Sequence, residues 1–247
     1  MAIPEYQFKL QQCQLIAPNV KHFVGEIDAN HAWTFTAGQF ITILFEHDGK
    51  VLRRSYSVAN PPHGNKIEFT ASFVEGGPGS AYLFSRNPGD AITVTGPFGR
   101  LILKPEDNQY QRFIFIGTST GITPYRSMLT NIAKQLKQHP HFQVEIIQGV
   151  QKFENILFSN DFDMFCQQHP AAGFSVALSR QAESVPKTEF EIHYGHVQDV
   201  LMKKNPNPST DLIYLCGNPK MIDDTFELLK THGFSIQQII REKYLSR

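Results

Sequence analysis

The sequence predicts two domains, an all-β half followed by an α/β half with a parallel sheet. Up to about residue 104, short apolar or alternating segments are separated by glycine, proline and asparagine. After residue 111, strand-like and helix-like segments alternate. The polar, turn-prone stretch KPEDNQYQ lies between the two halves. We therefore expect domains at residues 1–104 and 112–247, joined by a linker at 105–111.

Segments of strand length dominate the first half. Besides the extended stretch VLRRSYSVAN at 51–60, they are QFKLQQCQLI at 7–16, QFITILFE at 39–46, KIEFTASFV at 66–74 and AITVTG at 91–96. Turn-forming segments, namely NPPHGN, GGPG, NPGD and GPFG, lie near their ends. Many short strands without a long helix are typical of an antiparallel β-barrel or a sandwich, and the residues alone leave both open.

The second half alternates between buried-strand runs and helical spacing. The strand runs are RFIFIG at 112–117, FQVEIIQGV at 142–150, GFSVALS at 173–179 and DLIYLCG at 211–217. The helical segments between and after them are 123–138, 155–168, 196–204 and 220–233. This order predicts right-handed βαβ units and a parallel sheet, with a ligand site at the carboxyl ends of its strands.

Composition excludes several functional classes. The 23 basic residues balance the 23 acidic ones, which argues against a chain that coats nucleic acid. The three cysteines are far apart, so they form neither a disulfide framework nor an iron–sulfur or Cys-x-x-Cys site. The ten histidines lack metal-ligand spacing. With no apolar leader and no membrane-spanning run, we expect a monomeric cytoplasmic protein without metal or membrane anchor.

The stretch VLRRSYSVAN carries a cation, an aromatic ring and a hydroxyl at close spacing. On a strand, Arg54 and Tyr56 share one face while Ser57 points to the other. Such a group could hold a flavin, with Arg54 on the phosphate, the ring of Tyr56 on the isoalloxazine and Ser57 at its edge. An edge strand with charged residues would show the same pattern, so this stretch alone does not decide.

The segment GGPGSAYLFS changes that balance. It predicts a glycine turn, Ser80 at a helix N-cap, and a short helix with Tyr82 and Leu83. The free N–H groups of a helix N-terminus suit a pyrophosphate. Two such segments in one β-rich half favour a cofactor site.

Seven short motifs, in order and at fitting distances, resemble those of the ferredoxin–NADP⁺ reductase superfamily. They are RSYS at 54–57, GPGS at 77–80, GPFG at 96–99, GTSTGITP at 117–124, SRQ at 179–181, CGNPKM at 216–221 and EKY at 242–244. The resemblance implies an antiparallel flavin-binding β-barrel followed by an α/β parallel-sheet nucleotide-binding domain. It implies FAD as cofactor, with FMN as the alternative, and a nicotinamide that meets the flavin between the domains.

Matching the motifs residue by residue implies the ligand-binding positions. For the flavin they are Arg54, Ser55, Tyr56, Ser57, Val58, Gly77, Gly79, Ser80, Ala81 and Tyr244. For the nicotinamide dinucleotide they are Gly117, Thr118, Thr120, Gly121, Ser179, Arg180, Cys216, Gly217, Asn218, Pro219 and Met221. The glycine turn at 117–121 follows a strand and opens a helix, but its spacing differs from Gly-x-Gly-x-x-Gly.

The resemblance also implies which residues surround the reacting atoms. Cys216 would lie near the nicotinamide carbon that gives up hydride, with Ser57 and Glu242 completing a polar setting. Tyr244 matches the aromatic residue that covers the flavin, so it would have to move before the nicotinamide stacks there. Residues 245–247 follow this tyrosine.

The dinucleotide preference is predicted from arginines, because NADPH differs from NADH by a 2′-phosphate. Ser179 and Arg180 match the family's 2′-phosphate pair. Gln151 and His196 stand where NADP-specific relatives tend to carry arginine. We therefore predict NADP(H), with NAD(H) as the alternative.

The function implied by the resemblance is that of a flavoenzyme exchanging electrons between NADP(H) and a one-electron carrier, ferredoxin or flavodoxin. One alternative is an NAD(P)H-dependent flavin reductase or the reductase component of an oxygenase. An alternative of another class is a non-catalytic flavin-binding relay or regulatory protein, although such a protein would not need the motifs GTSTGITP and CGNP.

Overall fold

The chain divides into two compact units, each built on one six-stranded sheet. The computed structural model describes residues 3–28 and 33–244. Unit 1 comprises Met1–Ile102 together with Thr123–Met128, and unit 2 comprises Leu103–Ile122 and Leu129–Arg247. The first sheet is antiparallel and the second is parallel, which confirms the predicted fold class.

The strands of unit 1 close into a barrel. They are β1 (Glu5–Ala17), β2 (Val20–Asp28), β3 (Phe40–His47), β4 (Lys50–Ser57), β5 (Lys66–Ser72) and β6 (Ala91–Phe98). Their order is β4-β3-β6-β1-β2-β5, which places β4 and β5 at opposite edges. Just beyond β4, Val58 forms a bridge with Phe69 of β5, and the N–H of Ala59 donates to the carbonyl of Glu68 at 2.7 Å. The two edges therefore meet, and the barrel is favoured over the sandwich.

Stacked aromatic rings fill the interior of unit 1. Phe8, Phe23 and Phe69 are fully buried, with ring centroids 4.9 Å apart for Phe23 and Phe69. Strand β2 was not among the predicted strands, because the polar His22 and the small Gly25 occupy buried positions in it. Its apolar alternation is therefore incomplete.

The strands of unit 2 form one parallel sheet. They are β7 (Arg112–Thr118), β8 (Gln143–Val150), β9 (Ala172–Leu178), β10 (Glu191–Tyr194), β11 (Asp211–Gly217) and β12 (Ile239–Lys243). The order β10-β9-β8-β7-β11-β12 runs outward from β7 in both directions. The strand order reverses between β7 and β11, which makes their carboxyl ends the expected ligand crevice. The short edge strands β10 and β12 were not among the predicted strands.

The helices connect these strands. They are α1 (Pro78–Phe84), α2 (Thr123–Gln138), α3 (Ser159–Gln168), α4 (Val197–Lys203) and α5 (Pro219–Thr231). Helix α3 begins later than the predicted segment at 155–168, because Phe158, directly before it, has a left-handed backbone with φ of 56°. Among the helices of the described residues, none has the length and apolar character needed to cross a membrane.

The predicted linker forms part of unit 2. A 3-10 helix spans Pro105–Gln109 within it. Asp107 in this helix is 6% exposed, and one of its carboxylate oxygens accepts from the N–H of Lys104 at 2.9 Å and from the hydroxyl of Tyr214 at 2.8 Å. The segment is therefore bonded to strand β11 of its own unit.

Candidate active site

Strand β4 carries the predicted flavin-binding side chains. Arg54 and Tyr56 share a half-buried face, as predicted from the period of a strand. The opposite face is exposed at Arg53 and Ser55 and becomes buried at Ser57, which is 4% exposed. The hydroxyl of Ser55 lies 3.2 Å from that of Thr42 in β3, so this side chain is tied to the barrel wall.

The ring of Tyr56 lies against the core. Its centroid is 5.5 Å from that of Phe69. Burial raises the pKa of the Tyr56 hydroxyl to about 12, although the positive charge of Arg54 acts in the opposite direction. Tyr56 is therefore a neutral aromatic side chain over the whole physiological pH range.

Helix α1 meets strand β4 at Gly79. A Cβ atom at this position would lie 2.8 Å from Cγ of Arg54 and 3.5 Å from the hydroxyl oxygen of Tyr56. Only glycine permits this approach of the helix to the arginine stem. The two motifs RSYS and GPGS, which are distant in sequence, thus form a single surface.

The structure corrects the predicted role of Ser80. The N-cap of α1 is Gly77, and Pro78 is the first helical residue, a position that proline favours. Ser80 lies inside the first turn. Its hydroxyl oxygen accepts from the N–H of Val74 at 3.0 Å and lies 2.9 Å from the carbonyl of Gly77, to which it can donate. Ser80 therefore holds the preceding loop instead of capping the helix.

The N–H groups around α1 divide into two sets. Those of Gly77 and Ala81 donate to the carbonyls of Val74 and Gly77, at 2.9 and 3.0 Å. The N–H groups of Gly79 and Ser80 lie in the first turn, where a helix provides no acceptor four residues back. Gly79 and Ser80 are the better main-chain donors toward a ligand beside Arg54.

In unit 2, the carboxyl ends of β7 and β11 lie side by side. Gly117 and Cys216 are partners in the parallel register. Gly121, in the 3-10 helix Ser119–Ile122, packs so closely that a Cβ atom would collide with the carbonyl of Cys216. Thr120 is half-buried in the same 3-10 helix. The turn after β7 therefore lies directly on the end of β11.

Main-chain and hydroxyl groups hold the turn after β11. The hydroxyl oxygen of Thr118 accepts from the N–H of Asn218 at 3.0 Å. The side chain of Asn218 caps helix α5 by accepting from the N–H groups of Lys220 and Met221, at 2.9 and 3.2 Å. Pro219 is the first residue of that helix. These contacts fix the turn at 217–218 beside Thr118 at the end of β7.

Cys216, Glu242 and Tyr244 come together, although the sequence separates the cysteine from the other two. Cys216 is fully buried and is the register partner of Glu242 in β12. The N–H of Tyr244 donates to the carbonyl of Gly217 at 2.8 Å, and its side chain hydrogen-bonds the Cys216 sulfur. Residues 245–247 lie outside the described residues.

The environment of Cys216 keeps its thiol neutral. Burial raises the pKa of this thiol well above its ordinary value, and the negative charge of Glu242 raises it further. The hydrogen bond with Tyr244 opposes both effects without cancelling them. Because a neutral thiol is a poor nucleophile, Cys216 can pack and orient a ligand but is not set up to attack one.

Ser179 and Arg180 follow β9 and are both exposed. Their N–H groups donate to the carbonyls of Val150 and Gln151, at 3.0 and 2.9 Å. Arg180 lines a pocket of about 330 Å³. The charged residues lining this pocket are Lys152, Arg180, Glu154 and Glu183. The pocket is wide enough for part of a nucleotide, with cationic and anionic groups in equal number.

Two pocket residues were not assigned from the sequence. The side-chain oxygen of Gln181 accepts from the N–H of Phe153 at 3.0 Å and so joins the two walls of the pocket. Gln181 belongs to the motif SRQ, which was the available signal, whereas nothing local distinguishes Phe153.

His196 lies at the N-cap of α4, where its N–H donates to Asp199 at 3.0 Å. Within the described ranges, no three His, Cys, Asp or Glu side chains are grouped for a metal ion.

Comparison with known proteins gives matches to both halves of the chain. The oxidoreductase FAD-binding domain model matches residues 7–102, and the oxidoreductase NAD-binding domain model matches residues 115–227. The chain is 25% identical to ferredoxin–NADP reductase B of Sorangium cellulosum over 228 residues, which cover 91% of this chain and 91% of the relative.

A second curated relative is longer than this chain. It is one component of the Na⁺-translocating NADH-quinone reductase of Klebsiella pneumoniae, and it is 27% identical over 205 residues. The matched part covers 77% of this chain and 48% of the relative, so the chain spans about half the length of that protein.

Among solved structures, a ferredoxin NADP⁺ reductase from Neisseria gonorrhoeae with bound FAD and NADP has the same fold. Its TM-score is 0.81 at 22% identity, with coverage of 98% of this chain and 99% of that one.

Barrel, parallel sheet and matched domains define a class of two-domain flavoproteins. The chain belongs to the ferredoxin–NADP⁺ reductase superfamily, with an oxidoreductase FAD-binding domain followed by an oxidoreductase NAD-binding domain.

Proposed function

We propose that this enzyme exchanges electrons between NADP(H) and a one-electron protein carrier such as ferredoxin or flavodoxin, by way of bound FAD. The observation that carries the proposal is the grouping of Cys216, Glu242 and Tyr244 at the ends of β11 and β12. This is the polar and aromatic set that the resemblance assigns to hydride exchange. A protein that binds no nicotinamide would not need this group of residues.

The flavin site is proposed for unit 1, and its residues fit an anionic ligand with a flat ring. Gly79 leaves the stem of Arg54 uncovered by a side chain, and the N–H groups of Gly79 and Ser80 lie in the first turn of the same helix. Arg54 would bind the phosphate, Tyr56 the ring face and Ser57 the ring edge. The side chain of Val58 is fully buried in the barrel core, so Val58 would face the ring with its main chain only. Bound there, a flavin supplies hydride acceptance and one-electron donation. FMN would use the same residues without the adenine contacts.

The nicotinamide site is proposed for the crevice between the ends of β7 and β11. The turns at 117–121 and 217–218 would face the pyrophosphate and nicotinamide with main-chain groups. Cys216, as a neutral thiol, would orient the ring without reacting. Tyr244 would leave its position for the nicotinamide to stack. In this proposal residues 1–104 serve flavin binding and residues 112–247 serve nucleotide binding, apart from Thr123–Met128, which belong to unit 1.

NADPH is proposed as the preferred dinucleotide because two cations line the pocket after β9. Arg180 and Lys152 could both reach a 2′-phosphate there. Glu154 and Glu183 line the same pocket and would weaken its pull on an anion. We therefore expect a modest preference, smaller than two arginines at positions 151 and 196 would give.

An anaerobic titration of the flavin-loaded protein tests the proposal. NADPH and NADH are added in parallel while the flavin absorbance is recorded, and ferredoxin, flavodoxin, free FMN and a quinone are then offered as acceptors. Faster bleaching by NADPH with reoxidation by ferredoxin or flavodoxin would support the proposal. Bleaching by neither dinucleotide would contradict it and favour a non-catalytic relay or regulatory protein.

A second candidate is an NADH-linked reductase that serves free flavin, an oxygenase or a quinone. Gln151 and His196, in place of arginines, favour this candidate. The similarity to a protein named for an NADH-quinone reductase points the same way. Faster bleaching by NADH, with reoxidation by free FMN or a quinone, would select it.

We also infer that the protein acts as a monomer in the cytoplasm. The cytoplasmic part of this inference rests on three free cysteines, which suit a reducing compartment. Light scattering during size-exclusion chromatography at two concentrations measures the oligomeric state. A mass of about 28 kDa at both would agree with a monomer.

A further inference from the structure

A buried carboxylate in unit 1 is faced by basic side chains from three elements. Glu68 of β5 is 7% exposed. One of its oxygens lies 3.2 Å from Nε2 of His22 in β2 and accepts from Nη1 of Arg126 in α2 at 2.9 Å. The other oxygen lies 2.9 Å from Nζ of Lys66 in β5. We call these four side chains the Glu68 cluster.

The cluster keeps its carboxylate ionised in spite of burial. Burial alone would raise the pKa of Glu68. The hydrogen bonds from His22 and Lys66, followed by the charge and hydrogen bond of Arg126, outweigh that effect and hold the pKa far below its ordinary value. A buried ionic group of this kind does more to fix one arrangement of the chain than to add stability.

Arg126 and Glu68 together hold the chain where the flavin strand ends. Nη1 of Arg126 also donates to the carbonyl of Ala59 at 3.1 Å. The N–H of Ala59 donates to the carbonyl of Glu68 at 2.7 Å, and the N–H of Glu68 donates to the side chain of Asn60 at 2.7 Å. Both main-chain groups of Ala59 are thus fixed by this pair. Ala59 is separated from Ser57 by Val58 alone.

The first two turns of α2 are anchored around Arg126. The hydroxyl of Thr123 lies 2.7 Å from that of Thr70, and the hydroxyl oxygen of Ser127 accepts from the N–H of Gly38 at 2.9 Å. Thr123 and Ser127 are buried. The guanidinium of Arg126 therefore extends from a backbone that is fixed on both sides, and it can position other groups.

We propose that Arg126 is a positioning residue for the bound flavin, acting through the backbone of residues 57–59. Its guanidinium ties the carbonyl of Ala59 to the carboxylate of Glu68 and thereby sets where Ser57 and Val58 meet the ring edge. The proposal rests on the flavin site proposed above. Arg126 itself touches neither the flavin phosphate nor the reacting atoms in this assignment.

The test compares Arg126→Gln and Glu68→Gln with wild type. In both variants we expect the flavin Kd to rise about tenfold, because the strand end loses a charged hydrogen bond. We also expect an altered visible circular dichroism of the flavin. The limiting rate of flavin reduction should fall about tenfold while the KM for NADPH changes less than about twofold. Since the pair acts as one unit, the double variant should show no more loss than either single one.

Matched controls separate positioning from loss of charge. Lys134→Gln removes an exposed cation from the same helix, and Glu26→Gln removes an exposed carboxylate from β2. Both should match wild type in flavin Kd and circular dichroism. Arg126→Lys keeps a cation with several donors and should recover part of the wild-type signal. If Arg126→Gln fails to fold, Arg126→Lys and Glu68→Asp carry the same comparison in a milder form.

Two outcomes would overturn the inference. In one, Arg126→Gln melts at a lower temperature but keeps the flavin Kd, circular dichroism and limiting rate of wild type, so its role is structural only. In the other, the exposed control variants lose as much flavin affinity and circular dichroism signal as the cluster variants do. Flavin binding by wild type is measured first. Failure at that step would contradict the proposed flavin site, whereas wild-type binding with unaffected variants would contradict only the role of Arg126.

Discussion

The two candidate sites are built in different ways. In unit 1, the proposed ligand surface combines side chains of β4 with main-chain N–H groups of α1, and a closed barrel supports it. In unit 2, the surface is made of turns at strand ends, where N–H and carbonyl groups predominate. A cofactor that stays bound gains from many fixed side chains, whereas a dinucleotide that must leave in each turnover is better served by a shallow crevice.

The sites also differ in how they treat buried ionisable groups. Unit 1 places Lys66, Arg126 and the imidazole of His22 around Glu68, so this carboxylate stays charged despite burial. Unit 2 buries Cys216 beside a carboxylate, so it stays neutral. The lesson is that burial alone does not set the ionisation state, because the charges that face the group can reinforce or reverse its effect. Variants can test whether each site depends on its own kind of contact.

The largest effect is expected for Gly121→Ala. The added methyl group would collide with the carbonyl of Cys216 and displace the turn after β7. We expect flavin reduction by NADPH to slow roughly 100-fold, as a misplacement of about 1 Å can do. Flavin content should stay at the wild-type level because Gly121 belongs to unit 2. Anaerobic stopped flow measures the rate.

Gly49→Ala is the control for that substitution, because a Cβ atom there meets open space at the β3–β4 turn. It can lower stability through its left-handed backbone, but it should leave the rate unchanged. A wild-type rate in Gly121→Ala would show that the crevice does not depend on its main-chain geometry.

Arg54→Ala should weaken flavin binding roughly 10- to 100-fold, because it removes a charged hydrogen bond to the phosphate. Fluorescence titration of the apoprotein measures the Kd. Arg53→Ala is the matched control, since it removes the same side chain from the exposed face of the strand. Equal flavin affinity in the two variants would refute the assignment of the phosphate to Arg54.

Cys216→Ala should slow flavin reduction roughly tenfold with flavin binding intact, because the nicotinamide loses a packed neighbour. Burial and Glu242 raise the pKa of the thiol well above its ordinary value, so it remains protonated over the neutral and mildly alkaline pH range. Wild type and Cys216→Ser should therefore share one pH dependence of the rate in this range. An alkaline limb present only in wild type would mean that the thiolate forms and takes part.

Arg180→Gln should have the smallest effect. Because this side chain is exposed, its interaction with a 2′-phosphate is screened, and kcat/KM for NADPH should fall only about fivefold. The value of kcat/KM for NADH should not change. The control is Lys203→Gln, which removes an exposed cation outside the pocket and should alter neither value. An equal fall in kcat/KM for NADPH and NADH would show that Arg180 does not recognise the 2′-phosphate.

Local sequence patterns predicted the architecture better than they predicted the contacts between residues. The alternation of β4 correctly predicted the faces of Arg54 and Tyr56, and the strand–helix order predicted the parallel sheet. Short edge strands such as β10 and β12 escaped prediction because four or five residues carry too little periodicity. The N-cap assignment of Ser80 was wrong because Gly77 and Pro78 already begin the helix.

The arrangement of the sites depends on distant pairs that no local pattern encodes. Nothing near Arg54 shows that Gly79 will lie against it. Likewise, Glu68 and Arg126 are two unremarkable charges until the fold brings them to 2.9 Å. The motif order pointed to Cys216, Glu242 and Tyr244 as one group through a family resemblance, whereas their contacts follow from the parallel pairing of β11 with β12.

Residues 123–128 have a consequence for the modularity of the chain. They belong to unit 1 although they follow residues of unit 2, so the first unit is discontinuous in sequence. A fragment cut at residue 104 would retain all six strands of the barrel but would lack the arginine that faces Glu68. Exchange of domains with a relative at that boundary would therefore join incomplete modules, and grafts need to carry the first two turns of α2 along with the barrel.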